Sequence, residues 1–336
     1  TDLKQILENG AQWAVENGYG TPHDLERCEE NGCLGQADAS AVSERARQRG
    51  AGQVATLGSG NHFLEVQAVD EIFDKEAAAA FGIRETGQAA FMVHCGSRGL
   101  GHQVCSDFLR KLEKEFAAPL KSLPTRQLVY APAGSALAEE YFSAMCAAAN
   151  FAWCNRHILA DRLRSAVAEV FSGACAATIY DLAHNIAKLE THAVDGETRR
   201  LWVHRKGATR SFPAGRPEVP AVYRKTGQPV IIPGSMGSCS YLLKGTEDAL
   251  KLSFGSTAHG AGRTMSRKQA AREFRADRVI REMSSRGITV RGASKRGIAE
   301  ESAGAYKNVE QVVETSHRTG LARKVARLRP VGVVKG

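Results

Sequence analysis

The sequence predicts an α+β protein that folds as one large mixed domain over residues 1–336. Strand-like and helix-like segments follow one another irregularly, without the regular βαβ repeat of a doubly wound sheet. Hydrophobic residues make up 43% of the 336 residues and charged residues 24%, with only 10 prolines, a composition typical of a globular chain and not of a disordered one. No segment has the composition of a linker, so we expect no division into separate domains.

The hydrophobic pattern predicts the elements in chain order. Apolar residues at helical spacing over 2–17 predict an opening amphipathic helix. Residues 21–52 are polar and charged, which predicts an exposed connection with little core and a short helix at 41–49. Short β-branched and aromatic runs bounded by glycine predict strands, and longer periodic runs predict helices. The predicted strands are 63–69, 89–94, 176–180, 201–205, 229–232 and 241–244, and the further helices are 102–118, 135–171 and a basic one at 266–284.

The charge and the cysteine content narrow the possible binding partners and the cellular compartment. The chain carries 45 Lys and Arg against 36 Asp and Glu, a net charge of +9 at pH 7, which would attract a polyanion such as RNA, DNA or an acidic membrane surface. A mild positive excess is equally common among proteins without such a partner. No apolar run approaches the roughly 20 residues of a membrane-spanning helix. Eight cysteines with no CxxC pair and no signal peptide favour the reducing cytoplasm.

Four of the ten histidines lie in compact segments rich in Gly, Asn or Cys, and these are His62, His94, His184 and His259. Any one of them alone is more often a hydrogen-bonded histidine in a turn. Four imidazoles at predicted strand ends, beside glycines that let a ligand approach the backbone, indicate metal ligation or nucleophilic and acid–base chemistry. Three neutral imidazoles favour a divalent transition metal, and ligand type alone suggests Zn²⁺ before Mn²⁺.

Two glycine-rich loops and several cations are suited to phosphate. The segment Gly96-Ser97-Arg98-Gly99-Leu100-Gly101 joins a predicted strand to a predicted helix, so its backbone N–H groups would face an anion. It has neither the ending of a P-loop nor the spacing of a dinucleotide fingerprint, and a plain tight turn is the alternative. The loop over 233–238 has the same two interpretations. Cations in or beside the motifs would bind phosphate oxygens or lie on the surface without a partner, and these are Arg98, Lys206, Arg210, Arg263 and Arg267.

Taken in order, the motifs closely resemble the RtcB family of RNA-splicing ligases, from about residue 50 to the last residue. The segments that carry the resemblance are Gly60-Asn61-His62-Phe63-Leu64-Glu65, His94-Cys95-Gly96-Ser97-Arg98-Gly99, His184-Asn185, His204-Arg205-Lys206-Gly207-Ala208, Pro233-Gly234-Ser235-Met236-Gly237, His259-Gly260-Ala261-Gly262-Arg263, Met265-Ser266-Arg267, Ala305-Tyr306-Lys307 and Val333-Val334-Lys335-Gly336.

The resemblance implies GTP-dependent and Mn²⁺-dependent joining of an RNA 3′-phosphate or 2′,3′-cyclic phosphate end to a 5′-hydroxyl end, in tRNA splicing and RNA repair. His259 would be the nucleophile that takes GMP as a guanylyl-histidine, and His62, His94 and His184 would bind one or two metal ions. The implied guanine-nucleotide residues are Asn61, His62, Phe63, Leu64, Glu65, His184, Asn185, Pro233, Gly234, Ser235, Met236, Ser240, His259, Gly260, Ala261, Gly262, Tyr306 and Lys335. Arg98, Lys206, Arg263 and Arg267 would contact RNA phosphates, and an archease-type accessory protein is a further implied partner.

One feature of the family pattern has no counterpart in this sequence. Members have two further metal ligands, an Asp and a Cys, in an Asp-x-Gly-Cys-Gly-like segment near the N-terminus, and neither Cys28 nor Cys33 lies in that context. The chain also opens on Thr1. We therefore expect that about the first hundred residues of a typical member are absent, and that three imidazoles alone would hold a second metal ion weakly.

Two other functions stay open on the sequence alone. A metal-dependent phosphoesterase would use His62, His94 and His184 to hold a metal ion that activates water, and it would need no GTP. A non-catalytic RNA-binding homologue would keep the basic surface and lose the chemistry. The nucleotide loops argue against the first function. The complete His259 loop and Lys335 argue against the second.

Overall fold

The protein is described by a computed structural model that covers residues 2–125 and 128–336. The α-helices are α1 (Leu3–Glu16), α2 (Pro22–Leu25), α3 (Glu44–Ala51), α4 (Lys75–Ala80), α5 (Arg98–Glu115), α6 (Ala117–Leu120), α7 (Ala136–Val170), α8 (Glu247–Ser253), α9 (Arg267–Glu273), α10 (Ala276–Ser285), α11 (Lys295–Glu300) and α12 (Val309–Arg318). The strands are β1 (Phe63–Ile72), β2 (Ala89–His94), β3 (Asn185–Val194), β4 (Glu197–Lys206), β5 (Ala208–Arg210), β6 (Pro229–Ile232), β7 (Ser240–Lys244), β8 (Ser256–Ala258), β9 (Thr289–Gly292) and β10 (Arg323–Lys335).

The predicted α+β class is confirmed, and the chain forms two compact units. The helical unit comprises the described parts of Thr1–Leu25, Glu30–Thr56 and Cys95–Ala176, and the mixed unit comprises Glu26–Glu29, Leu57–His94 and Ala177–Gly336. The single domain over residues 1–336 stays a prediction. Within the described residues, no helix combines the length and the apolar character needed to cross a membrane.

The helical unit is built around α7, whose N-terminus is capped by the Ser135 side chain, which accepts a hydrogen bond from the Ala138 backbone N–H. Its core joins α1, α3, α5 and α7 through fully buried apolar residues such as Leu7, Leu100 and Phe151. The helices predicted at 2–17 and 135–171 are confirmed as α1 and α7. The helix predicted at 102–118 starts four residues earlier, at the first residue of α5.

The prediction that residues 21–52 contribute little core is wrong. Leu34, Val42 and Ala46 are buried in the same apolar cluster as α7. A buried amide on α7 explains how so polar a segment packs: the Asn150 side chain accepts from the Leu34 N–H at 2.8 Å and donates to the Leu7 carbonyl at 3.1 Å. This amide therefore satisfies backbone groups of α1 and of the connection where both pack against α7.

The mixed unit has as its main layer a sheet in the order β2-β1-β10-β7-β6, with β9 added parallel to β10. Its central strand is β10, which pairs antiparallel with β1 and with β7. Strand alternation turns Phe63 and Val333 toward an apolar cluster that also contains Met283 of α10. Two smaller pairs, β3 with β4 and β5 with β8, complete the strands.

Two element predictions in the mixed unit are wrong. Residues 176–180 form no strand, and two of their backbone carbonyls accept from side chains instead of from a neighbouring strand: the Ala176 carbonyl accepts from Arg164 Nε at 2.9 Å and the Ile179 carbonyl accepts from the Tyr223 hydroxyl. The basic helix predicted at 266–284 is divided into α9 and α10. Its backbone becomes extended at Phe274, with φ −105° and ψ 142°, and that side chain packs against the cluster around Met283.

Candidate active site

Four strand ends in the mixed unit carry the four histidines that the sequence singled out. His62 precedes β1, His94 is the last residue of β2, His184 precedes β3 and His259 follows β8. Antiparallel pairing of β1 with β2 sets Phe63 opposite His94, and the two rings meet edge to face with centroids 5.4 Å apart. The register of the sheet therefore fixes where one of the imidazoles lies.

Three of these imidazoles form a compact cluster. One potential ligand atom from each of His94, His184 and His259 lies within 4.8 Å of the others. The rings of His184 and His259 are stacked, with centroids 3.5 Å apart and planes 4° apart, and the His94 ring meets both of them edge-on. His62 lies farther out, with its ring centroid 5.9 Å from that of His94, and it is outside the three-residue group.

The surroundings of His94 favour the neutral form of its imidazole, which is the form that binds a metal ion. Burial is the largest cause that lowers the pKa of His94 well below its usual value, and the neighbouring His259, His184 and His62 add to the effect. A neutral imidazole offers a nitrogen lone pair, which a protonated one does not. Three imidazole nitrogens at the spacing of His94, His184 and His259 are a donor set that fits a divalent transition metal ion.

The loop that carries His259 is held by backbone hydrogen bonds. The His259 N–H donates to the Gly207 carbonyl at 3.1 Å, and the Gly207 N–H donates in turn to Asn185 Oδ1 at 3.1 Å. On the other side, the Lys307 N–H donates to the Gly262 carbonyl at 3.0 Å. The imidazole is thus carried on a loop anchored at both ends, as a reacting group requires.

A cavity of about 260 Å³ lies against the His259 loop. It contains most of the residues predicted to surround a guanine nucleotide: Asn61, Phe63, Glu65, Pro233, Gly234, Ser235, Met236, His259, Gly260, Ala261, Gly262, Tyr306 and Lys335. His94, Gly207, Arg263, Arg267, Glu301 and Val333 also line it. The other predicted nucleotide residues, His62, Leu64, His184, Asn185 and Ser240, are outside the lining. Strand alternation turns Leu64 to the face of β1 opposite Phe63 and Glu65.

Two ionisable side chains in the cavity have strongly perturbed pKa values. Burial raises the pKa of Glu65 to about 8, although a hydrogen bond from Gln67 and the charge of Lys335 oppose the rise. Burial also lowers the pKa of Lys335 to about 8, against the opposing charges of Glu301 and Glu65. The Lys335 ammonium lies 5.6 Å from the centre of the Phe63 ring. Titratable groups shifted in this way are typical of functional sites.

Ser240 and Gln67 support the cavity from β7 and β1. The Ser240 hydroxyl oxygen accepts from the Gly234 N–H and from Gln67 Nε2, both at 3.0 Å. The same amide nitrogen of Gln67 donates to Glu65. Ser240 therefore shapes the 233–236 loop instead of lining the cavity. Gln67 could not be predicted from its local pattern, because a glutamine inside a strand resembles any surface residue.

The arginines of the motifs have different environments. Arg263 and Arg267 line the cavity and both donate to Glu301 Oε1, at 3.2 and 3.3 Å. Arg98 lies in the helical unit, where its Nε donates to Thr56 Oγ1 at 3.1 Å. Lys206 is exposed at the end of β4. Arg210 is buried and its Nε donates to Gln228 at 3.0 Å, so it is neither a surface cation nor part of the cavity lining.

Comparison with known proteins identifies the family. The family described as tRNA-splicing ligase RtcB matches residues 1–336. The tRNA-splicing ligase RtcB of Pyrococcus horikoshii is 55% identical over 341 residues, which cover the whole chain and 39% of that relative. The proteins of the same name from Thermococcus kodakarensis and Pyrobaculum aerophilum are 54% and 51% identical, and the chain covers 70% of each. The chain thus spans between two fifths and seven tenths of the length of these relatives. The resemblance seen in the sequence motifs is confirmed, and the chain belongs to the RtcB family.

Proposed function

We propose that this chain is a GTP-dependent RNA ligase that joins an RNA 3′-phosphate or 2′,3′-cyclic phosphate end to a 5′-hydroxyl end, with His259 as the covalent nucleophile. The observation that carries the proposal is the position of His259. It lies at the edge of a cavity with nucleotide-binding chemistry and stacks on His184 of the imidazole cluster. Relatives named tRNA-splicing ligase support the assignment.

For an RNA that ends in a 3′-phosphate, the proposed reaction has three displacements at phosphorus; a 2′,3′-cyclic phosphate would first be opened by water, which breaks the bond to the 2′-oxygen and leaves a 3′-phosphate. A ring nitrogen of His259 attacks the α-phosphorus of GTP, an N–P bond forms, and pyrophosphate leaves with the bridging oxygen. An oxygen of the RNA 3′-phosphate then attacks the same phosphorus and releases the imidazole. Finally the 5′-hydroxyl attacks the activated 3′-phosphate, its proton is lost, and GMP leaves. Imidazole is suited to this role because its nitrogen is both a nucleophile and a fair leaving group.

His94 and His184 of the imidazole cluster would hold the metal ion, and His259 of the same cluster would stay free for the attack on GTP. His94 and His184, with His62 nearby, are the residues we assign to one or two Mn²⁺ ions. A bound divalent ion polarises phosphoryl oxygens and neutralises the charge that develops on them. His94 contributes by remaining neutral, since burial and its histidine neighbours lower its pKa. The stacked contact with His184 fixes the plane of the His259 ring.

Guanine selectivity would come from Glu65 and Lys335. A carboxylate accepts hydrogen bonds from the N1–H and amino groups that guanine presents, and an ammonium donates to its O6 oxygen. Adenine presents the opposite pattern, so these two groups would be left unpaired and desolvated against ATP. Phe63 and Tyr306 supply ring surface in the same cavity. The occurrence of these groups in one cavity supports the proposal that GTP is the cofactor.

The proposal also covers the RNA substrate, the cellular location and one further partner. We assign Arg98, Lys206 and Arg267 to phosphate contacts, in keeping with the net charge of +9, and Arg263 lies beside Arg267 in the cavity lining. Recognition would be directed at backbone and ends, as expected for cleaved tRNA halves. None of the eight cysteines, all of which lie in the described residues, forms a disulfide bond, which agrees with the cytoplasmic location that we propose. An archease-type accessory protein is the further partner we propose.

A ligation assay separates this function from its two alternatives. Two short RNAs, one ending in a 3′-phosphate and the other beginning with a 5′-hydroxyl, are incubated with the chain and Mn²⁺, with and without GTP. We expect a joined product that requires GTP and is lost in His259→Ala. Release of inorganic phosphate without GTP would support the phosphoesterase instead. RNA that is bound but chemically unchanged would support the non-catalytic homologue.

A further inference from the structure

One carboxylate lies at the centre of the cations in this cavity, and no motif assigned it a role. Glu301 is the residue after α11 and its side chain is only 3% exposed. Its Oε1 accepts from Arg263 Nη1 at 3.2 Å and from Arg267 Nε at 3.3 Å. Its Oε2 accepts from the Tyr306 hydroxyl. The same carboxylate also acts on the Lys335 ammonium through its charge.

Arg263 is fully committed to the protein around it. Its Nε donates to the Met265 carbonyl at 3.0 Å, and its Nη2 donates to the Glu300 carbonyl at 2.6 Å. Its Nη1 donates to Glu301 and also to the Tyr306 hydroxyl, at 2.9 Å. A guanidinium has five N–H donors, so these four contacts leave little for a ligand. Through these hydrogen bonds Arg263 links the His259 loop to residues 300–306, and its role is structural.

Arg267 has the opposite character. Its side chain is half-exposed and lines the cavity. Its Nε donates to Glu301 and its Nη2 donates to Asn61 Oδ1 at 3.1 Å. Among the described residues these are the hydrogen bonds made by Arg267, so three of its five N–H donors are available to a ligand. Donors of this kind, held in a fixed plane, match the oxygens of a phosphate.

We propose that Glu301 is the positioning residue of this site. It holds Arg263 in its structural role, and it orients Arg267 so that the remaining N–H donors of Arg267 bind the terminal phosphate of an RNA 3′ end. The proposal rests on the RNA-ligase function given above and assigns the two arginines different tasks. Glu301 itself does not touch the RNA. It acts because a guanidinium held at Nε by a buried carboxylate loses less conformational entropy when a phosphate binds.

Removal of the charge on Glu301 would change two separate quantities. The plane of Arg267 would no longer be fixed, so the affinity gained from a terminal phosphate would fall. Lys335 would also lose a negative neighbour that now raises its pKa, while Glu65, Arg263 and Arg267 still face it. The pKa of Lys335 would therefore move further below about 8. A side chain that served only to fill space would change neither quantity.

The first test measures RNA binding by fluorescence anisotropy, with one oligonucleotide ending in a 3′-phosphate and the same oligonucleotide ending in a 3′-hydroxyl. For the unmodified chain we expect tighter binding of the phosphate-ended RNA. Glu301→Gln should reduce that preference about tenfold, the cost of one well-placed charged hydrogen bond. Glu300→Gln is the matched control, because the Glu300 carboxylate pairs with the exposed Arg296 and stands outside the cavity.

The second test follows the pH dependence of GMP binding. In Glu301→Gln the alkaline loss of affinity should begin at lower pH than in the unmodified chain, and in Glu300→Gln it should not move. Glu301→Asp keeps the charge but withdraws it by one methylene. It should restore the alkaline midpoint while leaving the phosphate preference reduced, which a merely structural residue would not do.

The outcomes separate this proposal from the proposed function. If GTP does not label His259 in the unmodified chain but the phosphate preference depends on Glu301, the ligase chemistry fails and the positioning role stands. If the unmodified chain has no preference for a 3′-phosphate, the positioning role is wrong. It is also wrong if a folded Glu301→Gln keeps both the preference and the alkaline midpoint. Should Glu301→Gln fail to fold, Glu301→Asp decides, since an unchanged phosphate preference in that variant contradicts the proposal.

Discussion

At the scale of single residues, the cavity places an acid and a base of almost equal pKa beside one another. Water stabilises the charged form of both Glu65 and Lys335 outside the protein, and their burial removes that stabilisation. The pKa of each therefore moves toward the neutral form, upward for the carboxyl and downward for the ammonium, to about 8 in both cases. Hydrogen bonds from a ligand with guanine's donors and acceptor would stabilise the charged forms of Glu65 and Lys335 in place of the water that burial removes.

The affinity for GMP should therefore pass through a maximum near pH 8. Below it Glu65 takes up a proton and can no longer accept two hydrogen bonds, and above it Lys335 loses the proton that it donates. Isothermal titration calorimetry between about pH 6 and about pH 10 would measure the profile. Glu65→Gln should bind more weakly and lose the acidic limb only. An unchanged affinity across the whole range would contradict the assignment of these two groups.

At the scale of elements, the hairpin of β3 and β4 contains a buried ion pair. Arg205 donates to both oxygens of Glu190, at 2.6 and 2.9 Å, and both side chains are almost fully buried. His192 also contacts Glu190, at 2.9 Å. Burial alone would raise the pKa of Glu190, but the hydrogen bonds and charge of Arg205 outweigh it and hold that pKa below its ordinary value.

Glu190→Gln should lower the free energy of unfolding by about 3 kcal/mol, because it leaves the buried Arg205 charge without its counter-ion. Glu197→Gln breaks an exposed pair with Arg199 in the same hairpin and should cost less than about 1 kcal/mol. Denaturant unfolding at neutral pH measures both. The difference between the chain and Glu190→Gln should persist above the ordinary glutamate pKa and vanish as the pH falls through the lowered pKa of Glu190. Equal losses of unfolding free energy in the two variants would show that the buried pair of Glu190 and Arg205 contributes no more to stability than the exposed pair.

The sequence predicted the elements whose pattern is local and missed those decided by packing. The ends of α1 and α7 followed from helical periodicity, and the four histidine positions followed from short motifs at strand ends. β10, the central strand, was not predicted, because its alternation is interrupted by Pro330 and Gly332 and depends on pairing with β1. Glu301 was missed for a similar reason: its meaning depends on Arg263 and Arg267, which are more than thirty residues away in sequence.

At the scale of the whole molecule, the net positive charge would attract one class of partner, a polyanion such as the proposed RNA. A net charge of +9 does not select a sequence, but it raises the local concentration of any polyanion and speeds encounter. In the proposed function, selection for a chemically distinct RNA end would come from the cavity of the mixed unit, where cations, two of the clustered imidazoles and the buried Glu301 carboxylate occur together. Family membership over residues 1–336 agrees with this division between general attraction and local recognition.

The central claim is that His259 carries GMP as a covalent intermediate, and incubation of the chain with Mn²⁺ and α-labelled GTP tests it most directly. Denaturing electrophoresis then separates label bound covalently from label bound loosely, with His259→Ala as the matched control. We expect label on the unmodified chain, none on His259→Ala, and none when the label is on the γ-phosphate, because pyrophosphate leaves. Equal labelling of the chain and of His259→Ala, or label that comes from the γ-phosphate, would contradict the account.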